Sequence, residues 1–305
     1  MHDTEDKQGT ALASERRAML AGVGAILLWG ALATLSVIAG PVPPFQMVAM
    51  TFAIGATLGI ARALSRGVPL GELMRWPAPV WLLGVAGLFG YHALYFAALQ
   101  LAPPAEANLV NYLWPLLIVL LSAPLAPSNE RGRLGWPHLV GALLGFAGVA
   151  LLAVGRGLDF AGGTALLGYG LALGCAFAWS LYSVLSRRFG ETPTDAIAAF
   201  CAVASILSLI CHLLFEQTVW PASPAAWLAV LALGIGPTGG AFYLWDHAVK
   251  RGDIRALGAL SYAAPILSTG LLILCGLAQP TSTLLIAALL VTVGAVLASR
   301  EMWKR

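Results

Sequence analysis

Ten runs of about 20 mostly apolar residues dictate what this chain can become, because each is long enough to cross the hydrocarbon core of a bilayer as a helix. Glycine, proline and charge clusters divide them into 18–40, 44–64, 78–101, 104–125, 136–155, 163–187, 194–215, 224–249, 254–277 and 281–299. Of the 305 residues 59% are hydrophobic and only 10% charged. A soluble chain of this size carries about 25% charged residues, so most of this surface is built for lipid.

The Lys and Arg residues test that division independently, because positive charge gathers on the cytoplasmic side of a membrane. With a crossing at every run, one side holds Lys7, Arg16, Arg17, Arg62, Arg66, Arg75, Arg131, Arg133, Arg187, Arg188, Lys250, Arg251, Arg255, Arg300, Lys304 and Arg305. Of the 17 basic residues, only Arg156 is left for the other side. A miscounted helix would scramble that asymmetry. Both termini are therefore expected in the cytoplasm, 1–17 as an N-terminal segment and 300–305 as a C-terminal tail. The apolar run after Arg17 exceeds a signal-peptide core and reads as an uncleaved first span.

Several classes of function are disfavoured. The net charge of +3 is small and its cations are scattered, so no nucleic-acid footprint exists. Cys175, Cys201, Cys211 and Cys275 lie inside apolar runs without CxxC spacing and read as packing residues, with no metal or other cofactor expected. An intramembrane enzyme would need a nucleophile with its base or a metal site, and HExxH and GxSxG are both missing. A channel would need a charged ring or filter-like repeat, and neither is visible.

Sliding the sequence by 150 positions brings Gly24 onto Gly174, Trp29 onto Trp179, Gly84 onto Gly234, Gly90 onto Gly240, Tyr112 onto Tyr262 and Pro115 onto Pro265. After a slightly shorter loop, Gly148 meets Gly294. The pattern implies two copies of a five-helix unit, 18–155 and 163–299. An odd number of crossings inserts the second copy the other way up. The expected fold is thus an all-α membrane protein of ten transmembrane helices in two inverted repeats, an arrangement typical of secondary transporters with a midplane site between the halves.

A tryptophan early in each half, the segment Asn111-Tyr112-Leu113-Trp114-Pro115, the run Gly90 to Phe96 and the trio Glu106-Ala107-Asn108 together resemble the drug/metabolite transporter superfamily. Within it the chain is most similar to the EamA-type exporters, in particular those of aromatic amino acids. The resemblance covers the whole chain in topology. It implies a bacterial inner-membrane exporter with a central cavity lined from both halves, whose partners are the lipid bilayer and an amino acid substrate. The chain is compatible with a monomer. Export of another small metabolite or a drug-like amine is the alternative within transport.

Depth in the membrane ranks the residues of the path, since a polar side chain at mid-depth must face the bundle interior or a cavity. Tyr91 and Tyr95 share a face of the third helix at i and i+4, with His92 beside them, and Asn108, Asn111 and Tyr112 follow at i, i+3 and i+4 on the fourth. Trp29 and Trp114 are expected as flat walls from the first half, Trp179 and Tyr182 from the second; these ten are the expected substrate-binding residues. Ordinary helix packing is the alternative reading for Trp29, Tyr91, Tyr95, Tyr112, Trp114, Trp179 and Tyr182. His92 is expected either to bond a neighbouring carbonyl, or to meet a substrate carboxylate or handle a proton. Asp246, one turn before Lys250, is expected in an ion pair or snorkelling. No acidic residue is placed clearly at the midplane, which favours uncoupled, facilitated export.

Pro115 and Pro265 are the expected hinges. Neither donates to the residue four before it, Asn111 or Ser261, so each helix gains a kink and a freed carbonyl. Glycines four apart, Gly55 to Gly59, Gly141 to Gly145, Gly170 to Gly174 and Gly236 to Gly240, are expected to let helices approach closely.

Overall fold

The computed structural model describes residues 2–125, 135–154, 163–277 and 279–298. Arg131, Arg133, Arg156 and the tail 300–305 lie outside the described residues. In chain order the apolar helices are α1 (Ala13–Ala39), α2 (Pro44–Ser65), α3 (Ala78–Leu101), α4 (Glu106–Ser122), α5 (Trp136–Leu151), α6 (Thr164–Phe189), α7 (Ala196–Phe215), α8 (Pro224–Arg251), α9 (Ile254–Leu274) and α10 (Ser282–Ala298). Seven are long and apolar enough to cross a membrane, whereas α4, α5 and α10 are shorter, at no more than 17 residues each. No strand occurs among the described residues.

Local chemistry starts the helices. Pro44 and Pro224 stand at the first helical position, where the missing N–H costs nothing. Ser223 caps α8 by accepting from the Ala226 N–H at 3.1 Å, and Asp253 caps α9 through the Arg255 N–H at 2.9 Å. Glu216 does the same for α2 from a distance in sequence, its carboxylate accepting from the N–H groups of Phe45 at 2.9 Å and Gln46 at 3.1 Å.

The main pairings are α2 along α7, α5 along α10, α1 against α8 and α3 against α6. The α2–α7 pair is bonded at both ends. At one end Arg62 and Arg66 reach Asp195 at 3.7 and 3.2 Å. At the other, Glu216 caps α2 and accepts from or pairs with His212 at 2.9 Å, while the Gln46 side chain accepts from the Val219 N–H at 3.0 Å.

Two helices leave α geometry at matching places. Ala86–Gly90 in α3 and Gly236–Gly240 in α8 are π-helical, the second 150 positions after the first. In α8 the Thr238 hydroxyl donates to the Leu233 carbonyl at 2.8 Å and takes up one acceptor. A side chain on Gly239 would meet the Cα of Gly55, so glycine lets α2 and α8 touch backbone to backbone.

The proline-bearing helices α4 and α9 break just before the proline, at Tyr112–Leu113 and Ser261–Tyr262. Tighter bonds replace the lost ones: Leu113 donates to Val110 at 3.1 Å and Ala264 to Ser261 at 3.1 Å. The Ser261 carbonyl is therefore occupied, correcting the expectation of a freed acceptor there. The expected glycine pairs also divide. Gly55 and Gly59 face α8 and α7 closely, and Gly141 and Gly145 face Gly294 and the Tyr262 ring. Gly170, by contrast, has nothing nearby, and Gly236 and Gly240 bound the π-helical turn.

Candidate functional site

Between the helices lies a cavity of about 640 Å³. Its lining starts at Gly40, Val42 and Pro44 in and beside the α1–α2 loop and passes Thr51 of α2, Phe96 of α3, and Ser268, Thr269 and Leu272 of α9. It ends on a floor of aromatic rings. Trp29 packs edge-on to Trp114 and Trp179, at centroid distances of 6.2 and 5.7 Å, and tilted against Trp245 at 5.1 Å. Phe242 closes the group at 5.6 Å from Trp179. Such edge-to-face arrangements favour rigid, specific packing. Among the described residues, no Asp, Glu, Lys or Arg lines the cavity.

The structure brings nine of the ten expected side chains to this cavity: Trp29, Tyr91, His92, Tyr95, Asn108, Asn111, Tyr112, Trp114 and Trp179. The polar ones are held by each other. The Tyr95 hydroxyl donates to Asn108 Oδ1 at 2.6 Å, Asn111 Nδ2 donates to the Tyr91 hydroxyl at 3.1 Å, and the Cys175 thiol donates to Asn111 Oδ1 at 3.2 Å. These bonds tie α3, α4 and α6 together at the cavity wall. Pro265 lines it too, whereas Pro115 is buried beside it.

Tyr182 lies elsewhere. It is 2% exposed, a turn beyond Trp179 on α6 and under the floor, with its hydroxyl 3.4 Å from Asp246. Asp246 is itself 2% exposed and paired with Lys250 at 2.9 Å. The pair forms as expected, without snorkelling.

The π-helical turns supply carbonyls to two lining rings. His92 Nδ1 is 2.7 Å from the Leu88 carbonyl, and Trp29 Nε1 donates to the Pro237 carbonyl at 3.1 Å. A carbonyl only accepts, so Nδ1 of His92 carries the hydrogen and Nε2 is left as an acceptor in the neutral ring. Neutral His92 can therefore meet an N–H, and a carboxylate only once protonated.

Phe242, Trp245, Pro237 and the hydroxyls of Thr51, Ser268 and Thr269 escaped the reading of the sequence. The repeat held the signal for two of them: Phe242 and Trp245 stand 150 positions after His92 and Tyr95.

The model of the EamA-like transporter family matches residues 16–154 and again 166–300. The chain belongs to the EamA-like transporter family. Among EamA-type relatives, the aromatic amino acid exporter YddG of Ancylobacter novellus is 53% identical over 94% of this chain and 98% of its own. The YddG proteins of Salmonella typhimurium and Escherichia coli are each 24% identical, over 93% and 85% of this chain and 97% and 88% of theirs. A crystal structure 52% identical to this chain, matching 94% of it and 98% of its own, superposes with a TM-score of 0.87. As an EamA-type protein, the chain is a multi-pass membrane transporter of the drug/metabolite transporter superfamily.

Proposed function

We propose that this transporter exports aromatic and other large neutral amino acids across the bacterial inner membrane, by alternating access through the aromatic-floored cavity. The observation that carries this reading is the lining itself. Aromatic faces suit an aromatic side chain, and a wall without formal charge suits a net-neutral zwitterion, because any unmatched charge would be costly there. The similarity to aromatic amino acid exporters points the same way. Trp29, Trp114 and Trp179 flank the side chain, while Tyr91, Tyr95, Tyr112, Asn108, Asn111 and His92 address the polar head.

Two inverted five-helix halves make the alternation possible. Their support is the double family match, the 150-position offset shared by both π-helical turns, and pairings that exchange under it: α1 against α8 becomes α6 against α3. With both termini cytoplasmic, the α1–α2 loop faces outward. The cavity that reaches it is then the outward-facing state, with the aromatic floor shutting the cytoplasmic end. Breaks before Pro115 and Pro265 are where α4 and α9 flex between states. Counterflow of labelled amino acids into liposomes holding the purified protein tests the substrate class: tryptophan, tyrosine and phenylalanine exchange, while aspartate and lysine do not. Equal exchange of charged and neutral amino acids would reject it.

A further inference from the structure

Under the aromatic floor lies a polar knot in which Asp246 and Tyr182 are buried and Thr192 and Thr194 half-buried. The Asp246 carboxylate receives Lys250 Nζ at 2.9 Å, the Thr194 hydroxyl at 2.8 Å and the Tyr182 hydroxyl at 3.4 Å. Lys250 also donates to the Thr192 carbonyl at 2.9 Å. Buried ion pairs are poor stabilisers, since desolvation offsets their attraction and apolar packing of the same volume does as well. A role in another state of the molecule is the better account of this one.

The repeat indicates that state. Tyr182, Thr192, Thr194 and Asp246 stand 150 positions after Leu32, Val42, Pro44 and Phe96, and all four of the earlier residues line the cavity. Exchanging the conformations of the halves brings the later set to the lining of the opposite mouth. There the two mouths differ in chemistry. The one now lined is uncharged among the described residues, whereas its counterpart carries the Asp246 carboxylate, with the Lys250 ammonium, whose repeat mate Gln100 stands outside the lining, one helical turn further along α8.

We propose that Asp246 and Lys250 form a second substrate site at the cytoplasmic mouth, one that takes the zwitterionic head of an α-amino acid. The proposal rests on the exporter reading with inverted halves. In the closed state the two side chains satisfy each other. In the open state the substrate ammonium takes the place of Lys250 on Asp246, and the substrate carboxylate takes the place of Asp246 on Lys250. Each new contact is a charge-assisted hydrogen bond, and no charge is left unmatched. Thr194 and Tyr182 remain as donors that aim the carboxylate. Closure restores the original pair and sends the cargo on to the uncharged cavity.

Tryptophan flux from each face of oriented liposomes, with no substrate opposite, tests the site. Asp246→Asn and Lys250→Met are expected to raise the half-saturating concentration at the cytoplasmic face by roughly tenfold or more, the worth of one charged contact. A pair that only held this end shut acts with the opposite sign. Its loss favours the inward-facing state and lowers that concentration, so a fall, or no change, overturns the proposal. A second measurement leaves both charges in place. Thr194→Cys is labelled by an impermeant thiol reagent from the cytoplasmic face in the cold, and tryptophan is expected to slow that labelling where tryptamine and indole-3-propionate do not. Equal protection by all three, or by none, also overturns it. Absence of wild-type flux from either face removes the exporter reading instead, and the labelling result still decides the site.

Discussion

Tyr91 links three parts of the site at once. Its hydroxyl accepts from Asn111, its ring stacks on Tyr95 at 6.1 Å, and it meets the tilted ring of Trp179 on α6 at 5.9 Å. Tyr91→Ala removes all three contacts, while Tyr91→Phe removes only the hydroxyl and leaves Asn111 Nδ2 without that partner, at a cost of about 1–3 kcal/mol. Tyr91→Ala, His92→Ala and Tyr112→Ala are each expected to cut tryptophan flux at least several-fold at wild-type expression. Wild-type rates in all three would move the path elsewhere. At this scale much of the cavity was legible, because polar residues spaced at i, i+3 and i+4 in a lipid-buried helix have few places to go. Tyr182 was less so: spacing shows that it follows Trp179 on α6, but a rise of about 1.5 Å per residue carries it below the floor, which only the helix's depth reveals. Trp245 stayed hidden because a tryptophan in an apolar helix reads equally well as lipid-facing.

Among the elements, α8 depends on an atom-sized gap at Gly239. A β-carbon at Gly239 would stand 3.0 Å from the Gly55 Cα and closer still to the Gly234 carbonyl, and backbone cannot move aside as a side chain can. Gly239→Ala is therefore expected to destabilise the detergent-solubilised protein by about 1–3 kcal/mol, seen as a lowered thermal midpoint. Gly170→Ala, with nothing within 4 Å, is expected to leave the midpoint in place. An unchanged midpoint in both would mean that α2 and α8 do not meet through this glycine contact. The breaks in α4 and α9 could be foreseen from Pro115 and Pro265, because a missing N–H interrupts the ladder wherever it falls. The π-helical turns could not. Their register is set by how α3 and α8 cross their neighbours, and the trace that the two turns share in the sequence is the glycine that ends each, Gly90 and Gly240.

For the molecule as a whole, hydropathy and the distribution of Lys and Arg made an all-helical membrane protein readable, since both follow from the solvent rather than from packing. The partners of each helix were not, because lipid-soluble faces look alike until they meet. The proposed inverted arrangement predicts that cysteines introduced after Met1 and before Arg305 react from the same, cytoplasmic face; labelling from opposite faces would remove the basis for alternation. With no carboxylate among the described residues of the cavity lining, counterflow is expected to be unchanged by an imposed pH gradient, and a dependence on it would make the transporter proton-linked.

The uncharged lining also has an electrical consequence. A cargo with a net charge would gain or lose about 2.3 kcal/mol for each 100 mV it crosses. A zwitterion that passes an uncharged lining and an Asp246–Lys250 pair whose charges cancel displaces no net charge, so a potassium diffusion potential of either sign should leave the rate of export where it was. The cell could then discharge a surplus of such metabolites without drawing on, or being held back by, the voltage that drives its other carriers.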